Sequence, residues 1–149
     1  MLFRRLSLIL SAALLSGCAG GRVSLIPNSD PNLRKTSTQF AADAASRHPY
    51  PADAPKAGTA AARAEVAYMA REIHIINLSD QDWKDVDVWV NQKYVVHIPD
   101  MQPHALKTLP FQMIYDEKGN YFPLNKTLVD NITIYRDGKL YDVTTKIAD

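Results

Sequence analysis

Four patterns of apolar and polar positions follow one another along this chain. Residues 6–15 form a short apolar run, Leu-Ser-Leu-Ile-Leu-Ser-Ala-Ala-Leu-Leu. Residues 19–57 carry few large apolar side chains and are punctuated by Gly20, Gly21, Pro27, Pro31, Pro49, Pro51 and Pro55. A segment with so little to bury reads as a tether, and its His48-Pro49-Tyr50-Pro51 piece as an extended linker rather than a docking motif. Residues 59–70 are Ala-rich after Thr59, a plausible N-cap, and place Val66, Met69 and Ile73 at helical spacing. That pattern predicts a helix lying against the edge or base of the domain. From residue 71 the period drops to two.

The period-two region predicts strands and their register. Residues 73–77 are a first candidate, and residues 85–90 alternate strictly, with Val86, Val88 and Val90 on one face and Asp87 and Trp89 on the other. A three-residue loop at Asn91-Gln92-Lys93 pairs Val90 with Tyr94, Val88 with Val96 and Val86 with Ile98, making one face wholly apolar. A two-residue loop would put Lys93 and His97 on that face. Residues 111–115 and 121–122 flank a turn at Lys118-Gly119-Asn120. Residues 131–136 and 139–144 flank Asp137-Gly138, a strong type I′ turn signal that pairs Ile134 with Tyr141 and Ile132 with Val143. The expectation is a mainly β fold: a small antiparallel sandwich or open barrel of about six strands, with one N-terminal helix.

The N-terminus has the layout of a secretion signal. Arg4 and Arg5 precede the apolar run, which is about half the roughly 20 residues a spanning helix needs. The run closes on Leu15-Ser16-Gly17-Cys18. This stretch resembles the lipobox of bacterial lipoproteins: Leu, a small residue, Gly or Ala, then Cys. The resemblance implies cleavage before Cys18, a diacylglycerol thioether on its sulfur and an acyl chain such as palmitate on its new amine. Two chains are what stable anchoring requires, at about 0.8 kcal/mol per buried methylene. Ala19 rather than Asp follows the cysteine, which by the enteric sorting rule implies the outer membrane, facing the periplasm. The expected organisation is therefore a signal peptide over 1–17, a lipid-anchored tether over 18–57 and a β domain with a leading helix over 58–149. A coil of the 39 residues 19–57 would average roughly 35 Å end to end and reach about 120 Å fully extended.

Charge and composition exclude more than they suggest. The whole chain has 17 Lys and Arg against 16 Asp and Glu, and residues 71–149 carry nine against twelve. That balance gives no support for a nucleic-acid partner. Cys18 is the one cysteine, so no intrachain disulfide forms and the domain offers no thiolate. Within 71–149 the one serine is Ser79, the glycines are Gly119 and Gly138, and the arginines are Arg71 and Arg136. Nucleophile elbows, phosphate-cradling loops and arginine clamps are therefore absent from that sequence, and neither an enzyme nor a cofactor is expected. Asp80, Asp82, Asp85 and Asp87 start like a calcium loop, but Lys84 stands at a ligand position and no Gly or Glu completes it. His74, His97 and His104 lack paired metal-ligand spacing, so no metal site is expected.

The candidate ligand-binding residues are aromatic and polar. In the three-residue register Trp89 shares a face with Asp87, Val95 and His97, and Trp83 lies just upstream. An open Trp beside polar partners could grip a sugar ring or a peptide; a covered one would fill a second layer under a helix. The stretch Asn77-Leu78-Ser79-Asp80-Gln81-Asp82-Trp83 through Val90-Asn91 and Tyr94, with Gly119-Asn120-Tyr121-Phe122-Pro123 and Asp137-Gly138-Lys139-Leu140-Tyr141, resembles a family of small exported β-domain lipoproteins. The resemblance implies a β domain and no assigned activity. The expected function is a non-catalytic interaction module of the bacterial envelope, held to the membrane through Cys18, with an unidentified envelope protein or glycan as its partner. The alternative is a carbohydrate- or peptidoglycan-binding domain using Trp89, Asp87, His97 and Trp83.

Overall fold

The structure is a computed structural model and describes residues 35–148; the apolar run, the lipobox and Cys18 lie outside the described residues. Its elements are α1 (Ser37–Ser46), β1 (Lys56–Ala67), β2 (Glu72–Asn77), β3 (Trp83–Val90), β4 (Tyr94–Met101), β5 (Leu106–Pro110), a 3₁₀ turn (Phe111–Met113), β6 (Ile132–Arg136) and β7 (Lys139–Ala148). The seven strands form one sheet in the order β4-β3-β6-β7-β1-β2-β5, nearly closed into a barrel. Every neighbouring pair is antiparallel except β1 and β7, which run parallel, so the sheet is mixed rather than antiparallel throughout. Beyond β5, the 3₁₀ turn leads to Tyr115, which bridges both Val95 of β4 and Tyr121. That bridge partly covers the open edge of β4, where unpaired backbone groups would otherwise face water.

The predicted registers hold where the alternation was strict. Val90 pairs with Tyr94, Val88 with Val96 and Val86 with Ile98, around a turn in which Asn91 and Gln92 both take positive φ (53° and 57°). Ile134 pairs with Tyr141, and Asp137 (φ 52°) and Gly138 (φ 73°) have the signs of a type I′ turn. Ile132 and Val143 both face the interior just beyond the paired stretch. The interior holds Ile73, Ile75, Trp83, Val86, Val88, Ile98, Phe111, Ile114, Phe122, Ile132 and Ile134, all at most 1% exposed. Phe111 stacks on Phe122 at 5.0 Å, and Tyr94 meets Phe122 edge-on at 5.1 Å.

Two elements differ from expectation. The Ala-rich segment expected as a helix over 59–70 is strand β1. Its burial alternates, with Ala62, Ala64 and Val66 inside and Ala61, Arg63 and Glu65 outside. Pairing with β2 on one side and β7 on the other overrides alanine's helix propensity. The segment expected as tether carries the helix instead. Thr36 caps α1 in a capping box: its side chain accepts from the Gln39 backbone N–H, and the Gln39 side chain accepts from the Thr36 backbone N–H. Ala41 and Ala45, one turn apart, are buried. Residues 111–113, expected within a strand, form the 3₁₀ turn.

Two side-chain amides, one buried and one half-buried, tie the loops down. Asn77, fully buried, donates from Nδ2 to the Gln81 and Gln102 carbonyls (2.8 and 3.1 Å), while its Oδ1 accepts from the Ser79 backbone N–H and hydroxyl. Asn91 donates to the Leu128 carbonyl and accepts from the Asp130 backbone N–H, both at 2.8 Å, pinning the segment that leads into β6.

Candidate functional site

Asp87 and Trp89 leave β3 on the outer face of the sheet, directly opposite His97 and Val95 of β4. The four residues expected on one face are there because Val86, Val88 and Val90 point inward. This outer face is covered. Ala45 of α1, Tyr50 and Tyr135 pack on Trp89 and Val95 as a second, smaller apolar cluster, with the Tyr50 ring edge-on to Trp89 at 5.1 Å. Trp89 is 2% exposed, so the open aromatic face required for sugar stacking is closed by the chain's own segment. Its indole Nε1 has no hydrogen-bond partner among the described residues.

Trp83 sits on the opposite side of β3, 1% exposed in the barrel interior. Its Nε1 donates to the Ser79 hydroxyl at 3.2 Å, and the Arg136 guanidinium lies 5.2 Å over its ring. Of the four candidate ligand-binding residues, the structure therefore brings together the polar atoms of Asp87 and His97 and separates Trp83 from them.

The side chain that completes the cluster came from the expected linker. α1 ends at Ser46, Arg47 caps it, and His48 follows immediately over β3 and β4. His97 Nδ1 hydrogen-bonds Asp87 Oδ1 at 2.8 Å, and His48 Nδ1 lies 2.8 Å from the same oxygen. The two imidazoles stack with centroids 4.2 Å apart and planes 22° from parallel. One ligand atom from each of His48, Asp87 and His97 falls within 4.8 Å of the others, the one such group of three among the described residues. Asp87 is 7% exposed and has no Lys or Arg within ion-pair distance among the described residues. Asp85, at φ 48° between the Lys84↔Asp100 and Val86↔Ile98 pairs, places Oδ1 3.8 Å from His97 Nε2. A cleft of about 300 Å³ opens beside the cluster, lined by Ala44, Arg47, His48, His97, Met113 and Tyr115 among others.

The remaining candidates stay apart. Asp80 and Asp85 are exposed, Asp80 reaching His104 at 3.1 Å, and no calcium-type convergence of Asp80, Asp82, Asp85 and Asp87 forms. His74 pairs with Glu72 at 2.7 Å. Elsewhere, Asp116 organises the turn at residues 116–120. Burial alone would raise its carboxyl pKa. The backbone and side-chain N–H groups of Asn120, the Lys118 backbone N–H and the charge of Lys93 outweigh that and hold it below the usual value. Gly119 in this turn lies against the backbone of α1.

His48 was legible only indirectly. Thr36-x-x-Gln39 is the capping-box signature, and a helix starting there runs out just before His48-Pro49. No protein family, curated protein or solved structure matches this chain.

Proposed function

We propose that this chain is a lipid-anchored protein of the bacterial envelope whose β domain acts as a non-catalytic interaction module. The observation that carries the reading is Leu15-Ser16-Gly17-Cys18 at the end of a short apolar run behind Arg4 and Arg5. Ala19 favours the outer membrane, with the domain facing the periplasm. The bound partner is then an envelope protein. The glycan alternative loses its basis, since Trp89 and Trp83 are both buried. The non-catalytic reading draws support from Ser79, whose hydroxyl is committed to Asn77 and Trp83 rather than to a base.

Docking of α1 shortens the anchor's reach. At most residues 19–34 separate Cys18 from the described domain, and sixteen residues extend no further than about 58 Å. The test is Cys18→Ala in a bacterial host fed labelled palmitate. The expected result is loss of label and accumulation of an unprocessed precursor. A Cys18→Ala protein that is processed and membrane-bound as before refutes the anchor.

A further inference from the structure

We propose that His48, Asp87 and His97 form a binding site for a divalent transition metal, with zinc the ion their chemistry favours. Two imidazole nitrogens and one carboxylate oxygen are a borderline donor set suited to Zn²⁺. The three groups come from separate elements and meet at one point: His48 after α1, Asp87 on β3, His97 opposite it on β4. A cation there would compensate a buried carboxylate. Asp87 is a buried carboxylate with no Lys or Arg within ion-pair distance among the described residues, and its Oδ1 meets two imidazoles.

The geometry requires the two imidazoles, stacked with planes 22° apart, to swing out of the stack so that both Nδ1 lone pairs converge on one ion. Tetrahedral coordination at about 2.0–2.1 Å per bond separates ligand atoms by about 3.3 Å. The two 2.8 Å contacts to Asp87 Oδ1 would each open by about half an ångström as the ion enters. Each imidazole coordinates as the neutral ring through Nδ1, so the proton on that nitrogen moves to Nε2 and none need be lost. For His97, Nε2 then points toward Asp85 Oδ1, now 3.8 Å away, which accepts that proton's hydrogen bond after a slight approach. A carboxylate behind a ligating histidine is the arrangement that orients such ligands. Three protein ligands leave one position for water, facing the cleft lined by Arg47, Met113 and Tyr115.

The site would also be a staple. His48 belongs to the segment that covers Trp89, and Asp87 and His97 belong to the sheet beneath it. A metal joining them holds α1 and residues 47–50 on the barrel. This inference is independent of the lipid anchor.

The test uses the full chain in detergent with Cys18→Ser, which removes a competing thiol, and Zn²⁺ as the probe. After equilibrium dialysis, about one zinc per chain is expected. Binding should weaken at least about tenfold in His48→Ala and in His97→Ala, since even outer-shell losses cost that much. It should persist in His74→Ala and His104→Ala. Zinc bound by His48→Ala and His97→Ala as tightly as with both histidines present, or not retained by the folded chain at all, overturns the proposal. Should a variant fail to fold, hydrogen exchange on the unmutated site decides. Zinc should slow exchange across residues 36–50 and leave residues 72–77 around His74 unchanged; no slowing across 36–50 overturns it.

Discussion

Replacing Gly119 with alanine should lift α1 from the sheet, whereas the same change at Gly138 should not. Both glycines have left-handed backbones, with φ of +78° and +73°. An L-residue there costs about 1–2 kcal/mol at either position. The two differ in what a Cβ would meet. At Gly138 nothing lies within 4 Å, whereas at Gly119 the new carbon would sit 2.0 Å from the Thr38 carbonyl oxygen and 2.9 Å from the Ala42 nitrogen. Both of those atoms are helix backbone, so no rotamer relieves the clash. α1 must withdraw by about 1.5 Å to restore ordinary contact. Overpacking of this kind typically adds about 1–3 kcal/mol, so Gly119→Ala should total about 2–5 kcal/mol against about 1–2 for Gly138→Ala. Urea unfolding measures the difference. Hydrogen exchange then locates it: residues 36–50 should exchange faster in Gly119→Ala while β3 and β4 stay protected. Trp89 fluorescence should shift to the red as Ala45 and Tyr50 leave its ring. Equal destabilisation by the two variants, or unchanged exchange over 36–50, would refute the close approach of helix and turn.

Other consequences follow from single residues. Asn77→Ala strips the Gln81 and Gln102 carbonyls and the Ser79 donors of their partner inside the fold and should cost about 2–4 kcal/mol by thermal or urea unfolding. Asn91→Gly keeps the positive-φ turn but loses the amide, so it should speed exchange across residues 126–131 with the β3–β4 pairing intact. Asp116 has a folded pKa below its unfolded value of about 3.9. Its contribution is therefore complete above the unfolded pKa and is lost as pH falls through the folded one. Asp116→Ala should cost about 1–3 kcal/mol at pH 7 by urea unfolding, with the gap to the unmutated chain narrowing below about pH 4. A gap that widens in acid would contradict the hydrogen-bond account.

What could be read from the chain alone depended on whether local and tertiary preferences agreed. At residues 86–90 they do: β-branched residues alternate with polar ones, and the turn chemistry of Asn91-Gln92 and Asp137-Gly138 suits the pairings found. At residues 59–66 they conflict. Alanine is a strong helix former, and the interior of this barrel takes Ala62 and Ala64 where β1 passes between β2 and β7. The Ala-x-Ala-x-Val alternation was present but lay beneath that propensity. β5 was missed because Leu106-Lys107-Thr108-Leu109-Pro110 is short and has just one buried position, Leu109. The face bearing Asp87, Trp89, Val95 and His97 followed from register. Its cover did not, because α1 is short and the contact of His48 with Asp87 joins residues far apart in sequence. Candidate residues chosen for surface aromaticity were the ones a small fold needs in its layers, and the polar pair left beside them became the centre of the site.

The parallel pairing of β1 with β7 sets the order in which this domain can come into being. β7 lies between β6 and β1, so the seventh of the described strands joins the two halves of the sheet. The β1–β2 and β3–β4 pairs can form as local hairpins, yet neither encloses the interior before residues 139–148 arrive. A chain released from its N-terminal side would thus leave β1 and β2 unjoined to β3, β4 and β6 until residues 139–148 were free to pair with both β1 and β6.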